Sequence, residues 1–238
     1  MRKMRFAQQV NSGVPHLSGV SIYSEQDWTD ELFAQILNAS EEEITSARAE
    51  YTRYRITFEE KILSPREQFF DSIFDLGSGM SEFVYTAIKV KKPDKVVETG
   101  VAAGVSTNTM LNALHSNANG KLVSVDITNQ VGELIDEALK NRWALEILPE
   151  VGREKSLANY LRKNADASIF LHDSDHSSSW QKKELALVVR ELTSIELILF
   201  DDVDQELIDF IFLHFAESQV IVLNENRKFS GIIRILRH

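Results

Sequence analysis

Beyond residue 93 the chain alternates between short apolar runs and longer stretches with apolar positions at helical spacing. The runs fall at 95–98, 121–126, 145–148, 168–172, 197–200, 219–223 and 232–236. Residues 106–115, 131–141, 155–164, 179–192 and 204–215 lie between them with a helical period. Strand–helix alternation predicts a mostly parallel sheet with helices on both faces. The last two runs are joined by residues 224–230, too few for a helical crossover, so they are expected to pair antiparallel as a hairpin at the sheet edge.

Before residue 93 the pattern is different, and no stretch reads convincingly as a strand. Ser40-Glu41-Glu42-Glu43 has the form of a capping box, in which the Ser hydroxyl and the Glu carboxylate satisfy each other's backbone N–H. It opens a long polar helix expected to reach about Leu63, where Ser64-Pro65 interrupts it. Two further helices are expected at 66–76 and 81–91, separated by Gly77-Ser78-Gly79. Phe69, Phe70, Ile73 and Phe74 read as packing residues. The chain thus divides into an N-terminal helical extension, residues 1–92, and an α/β domain, residues 93–238. The expected architecture is a doubly wound, mostly parallel, seven-stranded Rossmann-like sheet.

Composition narrows the partners. With a formal net charge of -10, the surface repels phosphate backbones, so nucleic acid is not expected. There are no cysteines, which excludes thiolate metal sites and cysteine nucleophiles and fits a reducing compartment. No apolar run approaches the roughly 20 residues of a membrane-spanning helix, and the basic start lacks the pattern of a secretory signal. A cytoplasmic protein without a membrane partner is expected, and the helical N-terminus is a candidate homodimer contact.

Two stretches carry chemistry. In Val96-Val97-Glu98-Thr99-Gly100-Val101-Ala102-Ala103-Gly104-Val105-Ser106-Thr107, a strand passes through a small-residue turn into a helix. Gly100 permits the sharp turn and Gly104 permits close packing where the helix begins. About 20 residues on, the strand 121–126 ends in Asp126, placed to accept from the ribose hydroxyls of a nucleoside. The turn lacks the glycine spacing of a dinucleotide fingerprint and the lysine of a phosphate loop. Glu98 at the strand end suits a positively charged ligand portion, directly or through water. In the second stretch, Phe170-Leu171-His172-Asp173-Ser174-Asp175-His176 runs from a strand into acids and imidazoles, and Leu197-Ile198-Leu199-Phe200 runs into Asp201-Asp202. Neighbouring strand tips would gather Asp173, Asp175, His176, Asp201 and Asp202 around one crevice. So many carboxylates call for a hard cation such as Mg²⁺, with Asp173, Asp201 and Asp202 as its ligands. His176 is a candidate general base, Asp175 a candidate helix cap, His172 a core histidine, and Trp180 a packing residue or a pocket wall.

Glu98-Thr99-Gly100-x-x-x-Gly104-x-Ser106-Thr107 resembles motif I of the class I methyltransferases that use S-adenosylmethionine. It is nearest to the bacterial small-molecule O-methyltransferases of the macrocin and novobiocin type. Asp173-Ser174-Asp175-His176 is similar to their D-G-D-H segment, and Asp201-Asp202 to their later acidic pair. The likeness covers roughly residues 77–205, with His172 and Ser174 as departures. It implies cofactor contacts from Glu98, Gly100, Gly104, Ser106, Thr107, Asp126 and Asp173, and adenine contacts from Gly152 and Arg153. It implies Mg²⁺ at the acidic cluster and catalytic roles for Asp173 and His176. The implied reaction is methyl transfer to a hydroxyl of a small-molecule acceptor. Two rival readings are a metal-dependent hydrolase and a non-catalytic nucleoside-binding protein. The hydrolase would have to work without a second histidine pair and leaves the glycine turn unexplained.

Overall fold

A computed structural model of the chain describes residues 20–24, 27–64, 78–214, 218–225 and 228–236. The expected helix at 66–76, with Phe69, Phe70, Ile73 and Phe74, lies outside these residues. Among them, eight strands form one sheet: β1 (Val20–Ser24), β2 (Lys95–Thr99), β3 (Lys121–Asp126), β4 (Trp143–Ile147), β5 (Ile169–His172), β6 (Leu197–Phe200), β7 (Ser218–Glu225) and β8 (Lys228–Ile235). Their order is β1-β7-β8-β6-β5-β2-β3-β4. All neighbours run parallel except β8, which is antiparallel to both β6 and β7.

The doubly wound reading therefore holds, with two corrections. Val20–Ser24 is a strand, although the sequence before residue 93 showed none. It pairs through β7 alone, and a short edge strand of this kind leaves little periodic signal. The hairpin of β7 and β8 is antiparallel as expected but does not lie at the edge. β8 is inserted between β6 and β7, and β1 covers the far side of β7.

Among the described residues the α-helices are α1 (Asp30–Leu37), α2 (Glu41–Leu63), α3 (Gly79–Lys91), α4 (Val105–Ser116), α5 (Arg153–Lys163), α6 (Ser178–Glu191) and α7 (Gln205–His214). The capping box of α2 forms as read: Ser40 accepts from the Glu43 N–H, and Glu43 accepts from the Ser40 N–H at 3.0 Å. Residues 131–141 are not an α-helix. Gly132 and Leu134 donate to the carbonyls of Ala102 and Ala103 at 2.8 and 2.9 Å, which ties the segment to the glycine turn. Only a 3-10 turn, Glu137–Arg142, follows.

The alternation of side chains along each strand feeds two cores. Val96, Leu122, Ile169, Leu171, Leu197 and Leu199 pack under α1, α3 and α4. Val97, Val123, Phe170, Ile198 and Val222 face α5, α6 and α7. A smaller cluster joins Phe58 and Ile62 of α2 to Ala103, Val105 and Leu134. Lys61 Nζ also donates to the Leu134 carbonyl at 2.8 Å and pairs with Asp136. The far end of α2 thus clamps the turn after β2. No helix among the described residues is long and apolar enough to cross a membrane.

Candidate active site

The site lies at the carboxyl ends of β2, β3, β5 and β6, because the backbone pairing continues one residue past each strand. The N–H of Gly100 donates to Val125, that of Asp173 to Thr99, and that of Asp201 to His172, at 2.8–2.9 Å. Three loops therefore leave the sheet side by side. At Gly100, with φ of +84°, a Cβ would lie 1.9 Å from the Asp173 carbonyl oxygen, so only glycine allows this approach. Gly104 begins α4 at φ +90°. A Cβ there would lie 2.9 Å from Ile135 and 3.1 Å from the Gly132 backbone.

A cavity of about 340 Å³ opens at the carboxyl ends of β2, β3 and β5, a size suited to a small ligand. Asp126 lines it, and its carboxylate is fixed by backbone donors: Val101 N at 2.8 Å on one oxygen and Ile127 N at 2.7 Å on the other. Ala102 N at 3.5 Å and Thr128 N at 3.2 Å approach the same two oxygens, so of the carboxylate's roughly four acceptor positions a ligand hydroxyl would take those held by these longer contacts. Ile127, Leu148 and Leu157 supply an apolar wall. Arg153 stacks on the Trp180 ring, 3.9 Å from its centroid, and lies 3.5 Å from Asp175. Trp180 is thus a pocket wall. Asp175 also accepts from the Ser177 N–H at 3.0 Å, which together with Arg153 holds its carboxyl below the usual range. Gly152 precedes α5 at φ +77° with open space where a Cβ would stand.

The acidic side is more compact. Asp173 receives the Ser106 hydroxyl on Oδ2 at 2.9 Å, while Oδ1 lies 3.8 Å from His176 Nε2. His176 Nδ1 is 3.9 Å from Asp202 Oδ2. Asp173 raises the His176 pKa above its usual value, opposed by burial and helped by Asp201 and Asp202. Ligand atoms of Asp173, His176 and Asp201 come within 4.8 Å of one another, close enough to share one ion. The group that converges therefore contains His176 in place of the expected Asp202. Asp202 instead backs the imidazole at its other nitrogen, with a backbone φ of +61°. Asp173 and Asp202 both turn toward His176, one at each ring nitrogen.

Two expected ligand contacts are absent as side-chain contacts. Glu98 is fully buried, and its carboxylate accepts from Thr107 at 2.9 and 3.0 Å and from Ser124 at 2.6 Å. Burial pushes its pKa up to about 8 against the pull of those hydrogen bonds, with Asp173 and Asp126 adding to the rise. Thr107 is equally buried. Neither side chain reaches the crevice, so both act by joining β2, β3 and α4 beneath the turn. Glu98 shares the face of Val96 rather than the strand tip, as the alternation requires.

Sequence reading also missed two residues. Glu184, buried on α6 beneath the cavity, receives the Thr99 hydroxyl and meets His172 Nδ1 at 2.8 Å. Its signal was an acid in the stripe Gln181, Glu184, Leu185 and Val188, which is spaced to face the core. Lys228, at the start of β8, is ion-paired with Asp201. Nothing in the loop-like stretch 224–230 marked it.

Residues 97–203 match a family model described as a methyltransferase domain. The chain has the methyltransferase fold. Among solved structures, a Klebsiella pneumoniae protein described as an O-methyltransferase superposes with a TM-score of 0.52 at 14% identity, covering 90% of this chain and 99% of that one. The S-adenosylhomocysteine-bound methyltransferase PaMTH1 of Podospora anserina gives a TM-score of 0.50 at 13% identity, over 80% and 88% of the two chains. MycE, a methyltransferase of mycinamycin biosynthesis in complex with Mg, S-adenosylhomocysteine and mycinamycin VI, gives 0.52 at 11% identity. The match spans 75% of this chain and 54% of MycE. No curated protein matches. In this methyltransferase fold the glycine turn, Asp126 and Asp173 line one cavity, and His176 and Asp201 come close to Asp173.

Proposed function

We propose that the protein transfers a methyl group from S-adenosylmethionine to a hydroxyl oxygen of a small molecule, with a divalent cation, Mg²⁺, beside the acceptor. The observation that carries this reading is that Asp173 lines the same cavity as the glycine turn and Asp126 while sharing a possible ion site with His176 and Asp201. The family model, and the S-adenosylhomocysteine and Mg bound in neighbouring structures, support it.

Bound S-adenosylmethionine supplies a methyl group activated by its sulfonium, and the cation supplies positive charge beside the acceptor oxygen. Asp126 receives the ribose hydroxyls, and the Arg153–Trp180 stack walls the nucleoside end. The Gly100 turn lets the backbone lie against the ligand. Asp173 and Asp201 would hold the ion, since a hard cation prefers carboxylate oxygen to imidazole nitrogen. His176 is then left to take the acceptor's hydroxyl proton at Nε2, with Nδ1 turned to Asp202. The cofactor, when bound, would supply both the methyl carbon and a sulfur leaving group that keeps the C–S electron pair. The proton ends on His176, so the exchange balances without a further reactant.

Calorimetric titration with S-adenosylhomocysteine tests this. One-site binding in the micromolar range or tighter, about −8 kcal/mol, is expected, and it should be lost in Asp126→Ala. Absence of heat from the folded protein would remove the methyltransferase reading.

A further inference from the structure

The acidic cluster already contains a cation that belongs to the chain. Lys228 Nζ is ion-paired with Asp201 Oδ1, and the two side chains are only 20% and 13% exposed. The lysine's position is built into the sheet. It opens β8, whose Gly231 pairs with Phe200 immediately before Asp201. The next residue, Phe229, accepts from the Val203 N–H at 2.6 Å, which pins the start of β8 over the Asp201–Val203 loop.

We propose that Lys228 is a resident counter-cation that competes with the divalent ion for Asp201. This rests on Asp173 and Asp201 being the ion's carboxylates. An ammonium is a point charge with three donors and no lone pair, so it neutralises a carboxylate without completing a coordination shell. An ion on Asp201 and the ammonium compete for the same carboxylate charge, and the two positive charges repel. Metal entry therefore displaces Lys228, which its flexible four-carbon stem permits. With no ion bound, the lysine keeps Asp201 neutralised, so the cluster stays folded without metal and binds it weakly.

Binding of Mn²⁺, a paramagnetic hard cation, can be followed by loss of its free-ion resonance in the full-length protein. Lys228→Met is expected to bind Mn²⁺ about tenfold or more tightly than the wild type, because a repelling charge is gone. Lys228→Arg, which keeps the charge, should not gain. Equal or weaker Mn²⁺ binding by Lys228→Met, with S-adenosylhomocysteine binding intact, would overturn the proposal. A second measurement needs no variant: Mn²⁺ should raise acylation of Lys228 by an amine-reactive ester, read by peptide mass spectrometry. Unchanged labelling would likewise overturn it. Failure of the methyltransferase reading shows separately, as loss of S-adenosylhomocysteine binding by the wild type.

Discussion

Replacing Glu98 by Gln should make the protein more resistant to alkaline destabilisation while leaving its cofactor pocket intact. The carboxyl group is fully buried and titrates near 8, against an ordinary value of 4.5. Between those two values the folded protein keeps a proton that the unfolded chain has released. Stability contributed by the neutral acid is complete below about pH 4.5 and is lost as pH rises through about 8. At about 1.4 kcal/mol per pH unit, the loss amounts to ~5 kcal/mol over the window. The substituted amide would resemble the protonated acid: it still offers an oxygen to Ser124 and Thr107, whose hydroxyls can also accept from its NH₂ group. Urea unfolding of both proteins from about pH 5 to about pH 8 would give the difference in stability, in which the other titrating groups cancel. The variant's advantage should grow steadily by a few kcal/mol. A difference that is flat with pH, or that turns against the variant at high pH, would refute the buried neutral acid. The same variant separates structure from recognition. If Glu98 met the cofactor's positive charge, S-adenosylhomocysteine affinity would fall sharply; the observed hydrogen bonds predict a change within about threefold, less than about 1 kcal/mol.

Gly100→Ala should abolish S-adenosylhomocysteine binding, because the added carbon would stand 1.9 Å from the Asp173 carbonyl at a positive φ and force the two loops apart. Calorimetry on a variant that still melts cooperatively would show it, and retained affinity would contradict the close approach. Glu225→Ala should lower stability by about 1–3 kcal/mol, read from the urea midpoint. Glu225 on β7 accepts from the N–H groups of Gly79 and Met80 at the start of α3 and from the Ser230 hydroxyl. An unchanged midpoint would show that α3 is not held this way.

What the sequence revealed and what it concealed have physical causes. Strands β3 and β6 were readable to the residue because strands covered on both faces appear as short, mainly apolar runs. The acids after β5 and β6 stood out because polar residues following such runs must lie at strand tips. Strand order was less accessible. A short connection predicted that β7 and β8 pair, but it says nothing about which of them lies next to β6. Residues 131–141 carry apolar residues at helical spacing, yet the N–H groups of Gly132 and Leu134 serve the carbonyls of the glycine turn. Spacing alone cannot distinguish helical bonds from tertiary ones. The role of Glu98 was misread although the signal was present. Counting by two from Val96 sends Glu98 under α4, and counting by two from Val97 sends Thr99 toward α6, where it meets Glu184.

That alternation also explains how one carboxylate can serve both halves of the crevice. Asp173 is the first residue past β5 and is freed from the pleat, yet its N–H is held by Thr99. Its Oδ2 is engaged by Ser106 in the first turn of α4, where the helix N-terminus favours negative charge. Its Oδ1 is directed toward His176 and the Asp201 side. A shift of the turn around Gly100 would therefore move Ser106, and with it the carboxylate that faces His176. Because α2 clamps that turn through Phe58, Ile62 and Lys61, the N-terminal region bears on the geometry of the acidic cluster, although none of its described residues belongs to that cluster.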